Sequence, residues 1–113
     1  MNNIRLVWSI RTECGPNRNK NEDSVFPSKS GNGAPPFKAA VCDGLGGHVK
    51  GDVASKIAVS TMNISSSNLV ETIDTANLEI LQYQKKNKDS IGMGTTMTAI
   101  NIHINGLMEI GHV

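Results

Sequence analysis

Apolar positions alternate at the start of the chain and turn helical further on. Ile4, Leu6, Trp8 and Ile10 interleave with Arg5, Ser9 and Arg11, and only Val7 breaks the two-residue period of a half-buried strand. Residues 12–23 are rich in Asn, Gly, Pro and charge and predict a loop. A second loop is predicted over 28–36, with Gly31, Gly33, Pro35 and Pro36. Residues 37–42 predict a short strand with little alternation, the pattern of a strand covered on both faces. Then Val53, Ala54, Ile57, Ala58 and Met62 fit a helix starting near Gly51 or Asp52, broken at Ser65-Ser66-Ser67.

Asn68 suits a helix N-cap, with Glu71 placed as in a capping box. Leu69, Ile73, Ala76, Ile80 and Tyr83 follow as one apolar stripe, and Lys85, Lys86 and Lys88 sit where cations favour a helix C-terminus. After a tight link over 91–94, a strand is predicted over 95–104, where Ile100, Ile102 and Ile104 alternate with polar residues. Asn105-Gly106 signals a two-residue hairpin, and 107–113 starts the return strand. Two helices between pairs of strands predict an α+β layered sandwich rather than a doubly wound parallel sheet. The last strand leaves an open edge, so the sheet looks cut in its middle.

A length of 113 residues predicts one domain, or part of one. The formal net charge of +1 argues against a dedicated nucleic-acid binder, which shows a basic stripe. No apolar run approaches the ~20 residues that span a bilayer, and no signal peptide is evident, so the chain is expected in the cytoplasm and away from membranes. Cys14 and Cys42 are expected to stay thiols in that reducing compartment, Cys42 as a small buried apolar residue.

Candidate chemistry centres on Asp43-Gly44-Leu45-Gly46-Gly47-His48. An acid at a strand end, followed by glycines that let backbone or ligand come close, points into a gap. Glu22-Asp23 lies upstream behind Arg18, so the set reads as a hard-cation site beside an anion-binding guanidinium. The ligand spacing of an EF-hand is missing, and no Gly-Lys-Ser/Thr of a P-loop follows the glycines. His48 reads as a turn residue, and His103 and His112 as strand residues without a role.

Arg18-Asn19-Lys20-Asn21-Glu22-Asp23, then Asp43-Gly44-Leu45-Gly46-Gly47-His48, then Gly51-Asp52-Val53-Ala54-Ser55, then Gly94-Thr95-Thr96 stand in a fixed order. This series resembles the metal-dependent protein serine/threonine phosphatases of type 2C, the PPM family, and its bacterial branch in particular. The resemblance implies that residues 1–113 are the N-terminal part of a single such domain, a partial four-layer αββα sandwich. It implies two Mn²⁺ or Mg²⁺ ions, with Asp43 bridging them, the Gly44 carbonyl ligating one, Glu22 acting through a bound water and Asp23 beside it. Arg18 would hold the phosphate of a phosphoserine or phosphothreonine protein. Leu45 stands where eukaryotic members carry a histidine thought to protonate the leaving group, a departure that bacterial members share. Family members continue past the segment matching 109–113 with Gly-Asp-Ser-Arg and later aspartates that complete the metal sites. The 113 residues alone are therefore expected to be weakly active or inactive. A non-catalytic remnant or phosphoprotein-binding module is the alternative.

Overall fold

Around a long central strand, Phe37–Leu45, the rest of the chain arranges itself. The computed structural model describes residues 3–45, 49–63 and 68–113. In chain order the elements are β1 (Leu6–Trp8), β2 (Asp23–Phe26), β3 (Gly31–Gly33), β4 (Phe37–Leu45), α1 (Gly51–Thr61), α2 (Leu69–Lys86), a 3₁₀ turn (Lys88–Ser90), β5 (Gly94–Thr95), β6 (Thr98–Ile102) and β7 (Met108–His112). The main sheet runs β2-β4-β6-β7 with β5 added beside the end of β4, and all of its pairings are antiparallel. β1 and β3 form a separate two-stranded sheet, joined to β4 through the Trp8 and Phe37 rings, whose centroids lie 4.4 Å apart.

The α+β architecture agrees with the sequence pattern, and several local expectations are corrected. Only Leu6–Trp8 of the first predicted strand pairs. The predicted loop over 28–36 contains β3, a Gly-Asn-Gly segment made into a strand by its partner, Leu6–Trp8. β2 was not foreseen. β4 continues through Asp43 and Gly44 to Leu45, so Asp43 sits inside the strand rather than at its end. The strand predicted over 95–104 is two, β5 and β6, with a break at residues 96–97. The hairpin at Asn105-Gly106 is larger than expected. The Gly106 N–H bonds the His103 carbonyl at 2.8 Å and Gly106 takes φ +87°, a turn followed by a left-handed bulge residue. The expected break at Ser65–Ser67 lies outside the described residues.

Both helices pack on one face of the sheet. Ala40, Cys42 and Ala99 from the strands meet Ala58, Met62, Leu69 and Ala76 from the helices, with Met97 between. Small residues on both sides let helix and sheet approach closely, and the flexible Met97 side chain fills what is left. The α2 cap forms as predicted: the Asn68 side-chain oxygen accepts the Glu71 N–H at 2.9 Å. Glu109 then ties β7 to that helix. One carboxylate oxygen accepts from the Asn101 amide at 2.9 Å and meets His103 Nε2 at 2.7 Å, and the other accepts the Leu69 N–H at 3.5 Å. The His103 hydrogen bond holds the Glu109 carboxyl below its usual range.

The opposite face is open, which corrects the expectation that β4 is covered on both sides. Val41 is 54% exposed and Ile110 69% exposed there. The body measures 51 × 32 × 17 Å, thin in one direction because a single helical layer covers a single sheet.

Both cysteines are free, Cys14 exposed and Cys42 fully buried. Burial pushes the Cys42 thiol up to about 11. Ellman's reagent is therefore expected to titrate one thiol quickly in the native chain and a second only after denaturation. Two fast native thiols would contradict the packing of β4 against the helices.

Candidate active site

The register of β2 on β4 places Asp23 directly opposite Asp43. Residues two apart in a strand share a face, so both acids lie on the open face with Val25 and Val41. The two carboxyls are close enough to affect each other, and the Asp23 carboxyl is raised above its usual range. Partial desolvation in the cleft is the first cause, then the Asp43 hydrogen bond and charge, then Glu22, with the Arg18 guanidinium pulling the other way.

A braced loop brings Arg18 and Glu22 to the same place. The Arg18 N–H bonds the Gly15 carbonyl at 3.0 Å, and the Cys14 thiol bonds the Arg18 carbonyl at 3.3 Å. Asn21 donates its amide to Thr12 Oγ1 at 2.8 Å while its side-chain oxygen accepts the Asp23 N–H at 3.0 Å. The result is a cleft of about 500 Å³ whose walls include Arg18, Asn21, Glu22, Asp23, Asp43, Gly44 and Leu45. Arg18 and Glu22 also border a second hollow of about 390 Å³, shared with Lys50 and Asp52 at the start of α1.

Glycine matters here for space. Gly44 faces α1, and a Cβ on it would overlap the Gly51 carbonyl and lie 2.7 Å from the Glu22 carbonyl oxygen. A Cβ on Gly51 would lie 2.7 Å from Glu22 Oε2 and 2.8 Å from the Leu45 carbonyl oxygen. The end of β4, the residue before β2 and the first turn of α1 are thus in backbone contact, and the Glu22 carboxylate rests against that turn. Gly46, Gly47 and His48 lie outside the described residues.

Every residue singled out in the sequence, Arg18, Glu22, Asp23, Asp43 and Gly44, lines one cleft. Their side chains are not gathered at one point. Among the described residues no three His, Cys, Asp or Glu side chains converge as a cation cage. Asp23 and Asp43 form a close pair, and Glu22 turns toward Gly51. Thr96, read from sequence as strand initiation, touches the Asp43 backbone.

The chain is similar to known phosphatases in sequence and in fold. The serine/threonine phosphatase stp of Listeria monocytogenes serotype 4b is 36% identical over 105 residues, which cover 80% of this chain and 40% of the relative. The crystal structure of the Mycobacterium tuberculosis serine/threonine phosphatase PstP/Ppp superposes with a TM-score of 0.69 at 27% identity, over 97% of this chain and 46% of that one. The PstP catalytic domain solved in complex with two manganese ions gives a TM-score of 0.65 at 28% identity, over 97% and 47%. Over most of its length the chain is thus similar to part of the bacterial serine/threonine phosphatases. No family model matches it. The chain spans less than half the length of these relatives. Among its described residues no helix is long and apolar enough to cross a membrane.

Proposed function

We propose that the chain is the N-terminal part of a metal-dependent phosphatase domain that removes phosphate from phosphoserine or phosphothreonine in proteins. The observation that carries this reading is the Asp23–Asp43 pair, set across from Arg18 in one cleft. Two acids held directly opposite each other in one cleft concentrate negative charge, which a divalent cation neutralises. The donors are all oxygen, which suits Mn²⁺ or Mg²⁺. Asp43, Asp23, Glu22 and the Gly44 carbonyl are the proposed ligands on this chain. When bound, such ions supply Lewis acidity that activates water and neutralises phosphate charge.

The protein groups divide the remaining work. Arg18 binds the phosphate oxygens through its planar fork and orients the ester in the cleft. Asn21 keeps Asp23 aimed by holding its N–H. Leu45 has no proton to give, so the leaving alkoxide takes its proton from water or another group. The open apolar face around Val41 and Ile110 is where we place the remainder of the sandwich, because the relatives are more than twice as long. The two unpaired thiols suit a reducing cytoplasm.

The test uses a phosphothreonine peptide and the complete product of the gene. Hydrolysis is expected with Mn²⁺, lost on chelation and restored by fresh Mn²⁺. The 113 residues alone are expected near background. Hydrolysis indifferent to chelator, or tight peptide binding without hydrolysis, would overturn the proposal, the second in favour of a binding module.

A further inference from the structure

The ladder between β4 and its partners breaks opposite Asp43. Gly44 pairs with Thr95, and Val41 pairs with Thr98, so Asp43 faces Thr96. In a regular antiparallel pair the two residues would exchange N–H···O=C bonds in both directions. One direction survives, with the Thr96 N–H bonding the Asp43 carbonyl at 2.9 Å. In the other, the Asp43 N–H goes to the Thr96 hydroxyl oxygen at 3.1 Å instead of the Thr96 carbonyl. That carbonyl is turned aside and accepts the Thr95 hydroxyl at 2.8 Å. Next along, Met97 exchanges both backbone bonds with Val113 on the β7 side, each 2.9 Å, as alternate residues of a strand inside a sheet do. The paired threonines therefore do separate jobs. Thr96 replaces a lost ladder acceptor, and Thr95 satisfies the carbonyl that was displaced.

We propose that Thr96 is a positioning residue for Asp43, its hydroxyl setting the backbone from which the carboxylate and the following Gly44 carbonyl project. The inference rests on the reading of Asp43 as a metal ligand. A carbonyl acceptor would keep the strands at regular spacing. A side-chain acceptor keeps the Asp43 N–H bonded where the Thr96 carbonyl is turned to the Thr95 hydroxyl. Asp43 thus keeps its amide satisfied and its backbone held at this rung.

Thr96→Val keeps the shape and removes the acceptor, and Thr96→Ser keeps the acceptor. Two readouts are taken on the 113-residue chain: amide exchange of Asp43 by NMR without metal, and Mn²⁺ affinity by electron paramagnetic resonance. Thr96→Val is expected to speed exchange at Asp43 and weaken Mn²⁺ binding about tenfold, the lower end for a residue that orients a ligand. Thr96→Ser is expected to match the wild type in both. Unchanged affinity in Thr96→Val overturns the inference, whether or not exchange speeds up, and so does equal loss in Thr96→Ser. Should Thr96→Val lose its cooperative melting transition, Thr96→Ala carries the same comparison. Asp43→Asn is measured alongside. Mn²⁺ binding unaffected by Asp43→Asn defeats the ligand reading itself, whereas loss there with none in Thr96→Val defeats only the role of Thr96.

Discussion

Gly44→Ala is expected to destabilise the chain by about 3 kcal/mol or more, at or beyond the upper end for forcing atoms into a packed site. The added methyl would meet the carbonyl of Gly51 and the carbonyl oxygen of Glu22, and both are backbone. No side chain can swing away, so relief requires β4 to move from the first turn of α1. That movement would carry Asp43, one residue before, and Glu22, which bonds the Gly44 N–H at 3.0 Å. Loss of stability and loss of Mn²⁺ binding are therefore expected together. Gly33→Ala is the control. Its new methyl would find only the Trp8 ring, at 3.8 Å, and should leave stability within about 0.5 kcal/mol. Urea unfolding of the two variants decides the matter. Equal midpoints for Gly44→Ala and wild type would mean that β4 and α1 are not in backbone contact.

What the sequence reveals about this fold follows the range of the forces involved. The α2 helix was legible in detail because its cap and its apolar stripe are local: Asn68 reaches Glu71, and Leu69, Ala76 and Ile80 recur at helical spacing. β3 was not legible, since Gly31-Asn32-Gly33 has no strand preference of its own and is ordered by Leu6–Trp8 far away in sequence. The division of 95–104 into β5 and β6 was hidden for the same reason. It depends on a cross-strand detail at Thr96, whose hydroxyl takes the Asp43 N–H in place of its carbonyl. β4 misled through composition. Its residues read as doubly buried, yet burial alternates from Ala40 to Leu45, with small residues toward the helices and Val41, Asp43 and Leu45 on the open face.

The site divides along the same line. Arg18, Glu22, Asp23 and Asp43 were legible as a motif series, and the cleft that joins them agrees with that order. The opposition of Asp23 to Asp43 was not legible, because it is a property of register across strands. The close backbone approach that the glycines allow was legible, but not its partners: Gly44 and Gly51 are small so that a strand and a helix can touch. Gly94-Thr95-Thr96 looked like a strand start because its effect is a substitution of one acceptor for another within a sheet.

Asp43→Asn is expected to stabilise the metal-free chain slightly while lowering Mn²⁺ affinity by more than about 100-fold, beyond the range for losing a residue that merely orients a ligand. Like charges directly opposite in an antiparallel pair are unfavourable, by about 1 kcal/mol or less at an exposed position. The Asp43 charge is one of the causes, after desolvation, that raise the Asp23 carboxyl. Asparagine removes the repulsion and can donate its amide to Asp23, so the unfolding midpoint without metal should rise. Bound Mn²⁺ reverses the order. A ligand at a hundred times its dissociation constant stabilises the folded state by about 2.7 kcal/mol, more than the repulsion costs, and only the wild type receives it. Thermal melts with chelator should therefore rank the variant above the wild type, and melts in excess Mn²⁺ should rank it below. The same ranking in both buffers would mean that the paired acids do not hold the metal, and that their closeness serves the sheet alone.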